Sequence, residues 1–188
     1  MLEMKPKTVF AVGMLTVFFG YVAGVLTVLF AGGAGAGYVE DYLAASPVPR
    51  WWDAFCNGPG FVLLALCCGV FFFGWLLIFP LVYYKAYGYG YTAGLFLASL
   101  GAKGLLPLAL CLFPAALAEC AILVCVCREA FPLSLSLFVG LRRAGKPLGT
   151  EIRVFLMHGL VLFQCSSFVL LWDLFLSPLI LSGIREML

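Results

Sequence analysis

The chain is organised by long apolar runs separated by short polar stretches. Five runs stand out, at about Val9–Ala31, Phe61–Tyr84, Tyr87–Gly101, Gly104–Cys127 and Ile152–Leu181. Crossing the hydrocarbon core of a bilayer takes about 20 helical residues, and four of the runs approach or exceed that length. The third is short, so it suits a thin span or a re-entrant half-helix. The pattern predicts an all-α fold, a single polytopic transmembrane helix bundle over residues 1–188. About five spans are expected, one of them short and one kinked at Pro114.

Composition strengthens this picture. Of 188 residues, 64% are hydrophobic and 11% charged, and the mean hydropathy is +1.12. A water-soluble domain of this size leaves much of its surface in water and has no room to hide so much apolar area. The lipid bilayer is therefore the expected environment. The net charge of +2 forms no basic, aromatic-interleaved surface, so no nucleic acid is expected as a partner. The first run exceeds the apolar core of about 7–15 residues usual in a signal peptide. It is read as an uncleaved helix, although the Ala-Gly run at 31–37 imitates a cleavage site.

Charge placement sets the expected topology. With five spans and the N-terminus inside, the inner side carries Lys5, Lys7, Lys85, Arg128, Arg142, Arg143, Lys146 and Arg153, and the outer side Arg50, Lys103 and Arg185. Cytoplasmic loops are the ones enriched in Lys and Arg, which puts the N-terminus in the cytoplasm and the C-terminus outside. A re-entrant third segment would move Arg142, Arg143 and Lys146 outside, so that segment is counted as a span. Trp51 and Trp52 before the second span, and the tyrosines around Lys85, read as interfacial aromatic belts. The stretch 131–149, apolar and then basic, reads either as an interfacial segment on anionic lipid or as a helix extension followed by a turn.

Few residues offer chemistry. Glu119 lies well inside the fourth run, five residues after Pro114. A carboxylate at that depth must be protonated, paired or wet. Proline removes a backbone donor and clashes with the carbonyl four residues back, so a kink is expected beside the acid. His158 and Asp173 lie at other depths in the fifth run. With Glu119 they form either a relay or three unrelated interhelical contacts. Seven of eight cysteines fall within apolar runs and read as small packing residues. Cys125 and Cys127 lack the second ligand pair that zinc spacing requires. Catalytic motifs are absent, and neither a metal nor another cofactor is expected. Gly20 with Gly24, and Gly90 with Gly94, form GxxxG pairs that suit close helix packing, and Gly101 and Gly104 are counted with them as packing glycines. Spacing does not say whether the partner is this chain, a second copy or another protein.

The stretch from Lys85 to Glu119 resembles the stage II sporulation protein M family. Members of that family share a short span beginning K-G-x-x-x-G-x-x-x-G, a G-x-K-G turn, and a span with a mid-helix proline often followed five residues later by glutamate. Here Gly90 and Gly94 match the glycines, Gly101-Ala102-Lys103-Gly104 the turn, and Pro114 and Glu119 the proline and acid. Many relatives have His-Gly after the proline where this chain has Ala115-Ala116, and Lys85 is followed by Ala86. The resemblance implies a non-enzymatic membrane scaffold of endospore engulfment. Such a scaffold holds peptidoglycan-cleaving partners, the stage II sporulation proteins D and P, at the septal membrane. The competing expectations are a small transporter or channel subunit with a polar site at Glu119, and an intramembrane enzyme using Glu119, His158 or Asp173.

Overall fold

In the computed structural model, residues 6–31, 51–140, 149–176 and 178–180 are described, and every regular element among them is helical. The helices are α1 (Pro6–Phe30), α2 (Trp51–Asn57), α3 (Pro59–Val70), α4 (Gly74–Leu100), α5 (Phe113–Gly140) and α6 (Gly149–Leu171). A tight turn at Gly101–Gly104, one helical turn at Leu105–Pro107 and a widened π turn at Leu108–Leu112 lead into α5. A second π turn, Trp172–Leu176, follows α6. The acidic pair Glu40 and Asp41 and the cluster Arg142, Arg143 and Lys146 lie outside the described residues.

Four stretches are long and apolar enough to cross a membrane: Pro6–Phe30, Trp51–Val70, Leu105–Val139 and Glu151–Ile180. α4 has 27 residues, about 40 Å at 1.5 Å per residue. It is long enough as well, but carries Lys85 and a second half rich in Gly and Tyr. The protein is thus an all-α, multi-pass transmembrane bundle. Its outside and inside are chemically inverted. Phe18, Phe19, Phe30, Met157 and Phe168 are all more than 60% exposed, whereas Glu119, Ser134 and Ser166 are buried. Lipid is the medium that tolerates such a surface. α5 is the central helix, in contact with α1, α3, α4 and α6, and α1 lies along α4. Val9, Val62, Ile78, Leu123 and Val126 form the middle of the core.

The boundary between the second and third runs differs from expectation. Phe61–Tyr84 is not one span. The chain turns back at Phe71–Phe73, and α4 then continues through Lys85 without interruption. The short member of the bundle is therefore the second pass, not the third. Two features make the turn. Gly74 sits so close to the Cys68 carbonyl that no side chain fits there. The fully buried Ser134 hydroxyl donates to the Phe71 carbonyl at 2.6 Å and accepts from the Trp75 amide at 2.8 Å. Backbone groups released by the break are thereby satisfied in a place water does not reach.

The glycine pairs find their partner within the chain. Gly20 and Gly24 of α1 lie against Tyr83–Tyr91 of α4, and Gly90 and Gly94 of α4 lie against Tyr21–Val28 of α1. A Cβ on Gly20 would stand 2.7 Å from the Tyr83 carbonyl oxygen, and one on Gly94 would stand 3.0 Å from the Val28 Cβ. Gly24 and Gly90 touch the opposite backbone directly. Gly104 likewise abuts the Phe96 backbone, but Gly101 has open space around it. Gly101 is a turn residue rather than a packing one. Its φ of +57° is disfavoured for residues with a Cβ.

Pro114 is the second residue of α5, just after the π turn. The widened turn contains Leu110, whose carbonyl the proline ring would otherwise strike, so the expected disturbance takes the form of a π turn. Residues 131–140 extend α5 as helix. The eight cysteines form no disulfide.

Candidate functional site

The site begins at an unused carbonyl. α2 ends at Asn57 because Gly58 precedes Pro59, and a residue before proline is pushed away from helical geometry. The Phe61 amide, which a continuous helix would direct to Asn57, instead bonds to the Gly58 carbonyl at 3.0 Å. The Asn57 carbonyl thus leaves the helical ladder, and the Lys85 ammonium donates to it.

Lys85 also forms an ion pair with Glu119, Nζ to Oε2 at 3.0 Å, and both side chains are largely shielded. Tyr89 donates its phenolic hydrogen to the same carboxylate oxygen. Lys85 and Tyr89 are four residues apart on α4, so they share a face and reach Glu119 together. The ammonium stands 4.8 Å from the Tyr89 ring centroid and 5.5 Å from that of Phe61. Faces of aromatic rings attract cations at this range. Gly58 closes the arrangement, since a Cβ there would stand 2.7 Å from Glu119 Oε1. Three passes meet at one carboxylate.

Beside this cluster lies a cavity of about 630 Å³, lined by Asp53, Asn57, Lys85, Tyr89, Glu119 and Asp173 among others. Both π turns contribute to its wall, through Cys111 and Leu112 on one side and Asp173 on the other. π turns re-aim side chains and recur at functional sites. Lys85 is eleven residues from the start of α4 and fifteen from its end, about 16 and 22 Å. The cluster therefore sits near the middle of the bundle.

Of the residues singled out from sequence, Glu119 and Asp173 share this cavity and His158 does not. His158 lies 3.3 Å from Glu129, which also meets Arg128 at 3.5 Å. That group is partly exposed, and its Glu129 lies ten residues beyond Glu119, about 15 Å along α5. A Glu119–His158–Asp173 relay is not formed. Pro114 stands one turn ahead of Glu119 and is exposed. Sequence reasoning missed Lys85, Tyr89, Asn57 and Gly58. Lys85 was assigned to the inner membrane face because the apolar runs were divided there. The available signal was its position as the lone charge between Asp53 and Lys103. Among the described residues no group of His, Cys, Asp and Glu is arranged to hold a metal ion.

No family model matches this chain, and searches of curated proteins and of solved structures found nothing similar to it.

Proposed function

We propose that this protein is a membrane-embedded solute-binding protein, a small carrier or channel subunit whose site is the Lys85–Glu119 cavity. The observation that carries the reading is a buried ion pair placed on the wall of a ligand-sized cavity. Small-molecule sites commonly enclose about 300–1,000 Å³ and combine apolar walls with a few converging polar groups. Ionisable residues inside a membrane bundle are costly and mark substrate or ion paths. The glycine pairs support the reading indirectly, because they fix α4 against α1 and so hold one wall of the cavity in place.

The proposed orientation keeps the N-terminus in the cytoplasm. Removing Lys85 from the loop count leaves Lys5, Lys7, Arg128, Arg142, Arg143, Lys146 and Arg153 on the inner side against Arg50, Lys103 and Arg185 outside. The positive-inside bias survives.

The scaffold implied by the sporulation resemblance is the competing proposal. It places the chain in a bacterial septal membrane with stage II sporulation proteins D and P as partners. Gly20, Gly24, Gly90 and Gly94 are occupied within the chain and do not supply its docking face. The surface in its favour is the exposed pair Trp51 and Trp52 at the start of α2.

Proteoliposomes loaded with a mixture of small polar metabolites, with release followed by mass spectrometry, test the two. The carrier reading expects at least one solute class to leave faster than from loaded protein-free liposomes, and expects Glu119→Gln to suppress that release. Equal release from loaded wild-type, variant and protein-free vesicles would overturn it. Co-purification of peptidoglycan-cleaving proteins with both wild type and Glu119→Gln would then favour the scaffold.

A further inference from the structure

We infer that the cavity selects a small monovalent organic cation, with Asp173 as its counter-charge. This inference rests on the solute-binding reading of the same site.

The first argument is charge balance. The lining carries three carboxylates, Asp53, Glu119 and Asp173, and one ammonium, Lys85. Lys85 is committed to Glu119 at 3.0 Å. Asp53 is exposed in the first turn of α2, where solvent serves it. Asp173 is partly buried on the cavity wall and makes no ion pair among the described residues. A carboxylate facing a cavity inside a membrane bundle is one cation short of neutrality.

The second argument is that the site already accommodates an ammonium. Lys85 Nζ meets a carboxylate, a backbone carbonyl and the faces of Phe61 and Tyr89. A ligand ammonium would meet the same kinds of group, because Tyr84, Tyr87, Tyr91 and Phe96 continue the aromatic wall. Tyr83, Tyr87 and Tyr91 stack in sequence along α4, with centroid separations of 6.5 and 6.3 Å. Aromatic surroundings favour weakly hydrated organic cations over small inorganic ones, whose hydration shells a ring does not replace.

The third argument is size. A cavity of about 630 Å³ is far larger than a single metal ion needs. An anionic solute would face two carboxylates not neutralised by Lys85, which disfavours it.

The test uses the full chain in nanodiscs and three probes of one shape, benzyltrimethylammonium, benzyl alcohol and benzenesulfonate, with binding measured by equilibrium dialysis. The expected result is saturable binding of benzyltrimethylammonium alone. Asp173→Asn is expected to weaken it by about tenfold or more, and Asp173→Glu to restore it to within about threefold. The Asp173→Glu arm keeps the result interpretable if Asp173→Asn perturbs the fold, and the elution profile of each variant on size exclusion reports folding directly. Binding of benzyl alcohol or benzenesulfonate as tight as the cation would overturn the cation inference while leaving the solute site intact. Cation binding unchanged in a folded Asp173→Asn would overturn the role of Asp173. Failure of all three probes to bind would overturn the inference, and the liposome release assay would then decide separately whether the solute-binding reading survives.

Discussion

The two faces of α4 solve opposite problems. Toward α1, the helix removes side chains. Gly24 and Gly90 meet backbone against backbone, Gly20 lies against Tyr83 and Ala86, and Gly94 lies against Val28. Toward α5, the same helix inserts its most polar side chains, Lys85 and Tyr89, onto Glu119. The first face gains stability from dispersion contacts and needs no polar partner, because lipid gives helices no hydrophobic reason to associate. The second draws on electrostatics that are favourable only while every member is present. A bilayer protein gains rigidity from the first arrangement and chemical discrimination from the second.

Substitutions on the glycine face should have the largest effect. Gly90→Leu would drive a side chain into the Tyr21 backbone, and backbone does not yield as a flexible side chain does. Overpacking costs about 1–3 kcal/mol where neighbouring side chains give way, and against unyielding backbone the α1–α4 contact itself is expected to be lost. The expected outcome is loss of the monodisperse peak on fluorescence-detected size exclusion. Gly88→Ala, two residues away with open space around the added methyl, should keep that peak. Equal behaviour of the two variants would remove the distinction between the faces.

On the polar face, Lys85→Met leaves Glu119 buried without its cation. Removing one partner of a buried pair costs about 3–5 kcal/mol, whereas replacing both with apolar residues is often near neutral. Unfolding in mixed detergent should therefore show Lys85→Met as strongly destabilised and Lys85→Met with Glu119→Leu as largely recovered. No recovery in the double variant would mean that the site holds the bundle together by more than charge pairing. Tyr89→Phe keeps the ring under the ammonium and removes one hydrogen bond to the carboxylate. About 1–3 kcal/mol is expected in the same assay, and a value near zero would show that the hydroxyl serves solute rather than stability.

The smallest effect is expected at the second polar group. His158 and Glu129 are both accessible, and exposed pairs contribute about 0–1 kcal/mol. His158→Gln should leave both stability and release from liposomes close to wild type. A strong loss of release would join this group to the path and revive the relay that the fold does not form.

The sequence disclosed the members of these two faces unevenly. GxxxG spacing marked Gly20, Gly24, Gly90 and Gly94 because small residues four apart lie on one stripe of a helix. Their partner was not legible, since a stripe carries no information about what meets it. Glu119 was conspicuous as a carboxylate within an apolar run. Lys85 was not, because its tyrosine neighbours imitate an interfacial belt and only the turn at Phe71–Phe73 moves it to mid-helix. That turn was invisible to hydropathy. Its residues are as apolar as their neighbours, and the groups that make it tolerable, the absent side chain of Gly74 and the hydroxyl of Ser134, act through contacts distant in the chain. His158 and Asp173 looked equivalent in sequence. The π turn after α6 places Asp173 on the cavity wall, and such irregularities follow from tertiary packing rather than from local propensity.

The Ser134 clamp bears on biosynthesis. The residues it serves, Phe71 and Trp75, precede it by 63 and 59 positions. A nascent chain emerging from the ribosome carries the α3–α4 bend into the membrane well before the hydroxyl that caps it exists. Until α5 arrives, the Phe71 carbonyl and the Trp75 amide have only lipid headgroups, water or the insertion machinery to meet. The bend therefore precedes its clamp in order of synthesis, and the two bonds of Ser134 form only once the central helix docks.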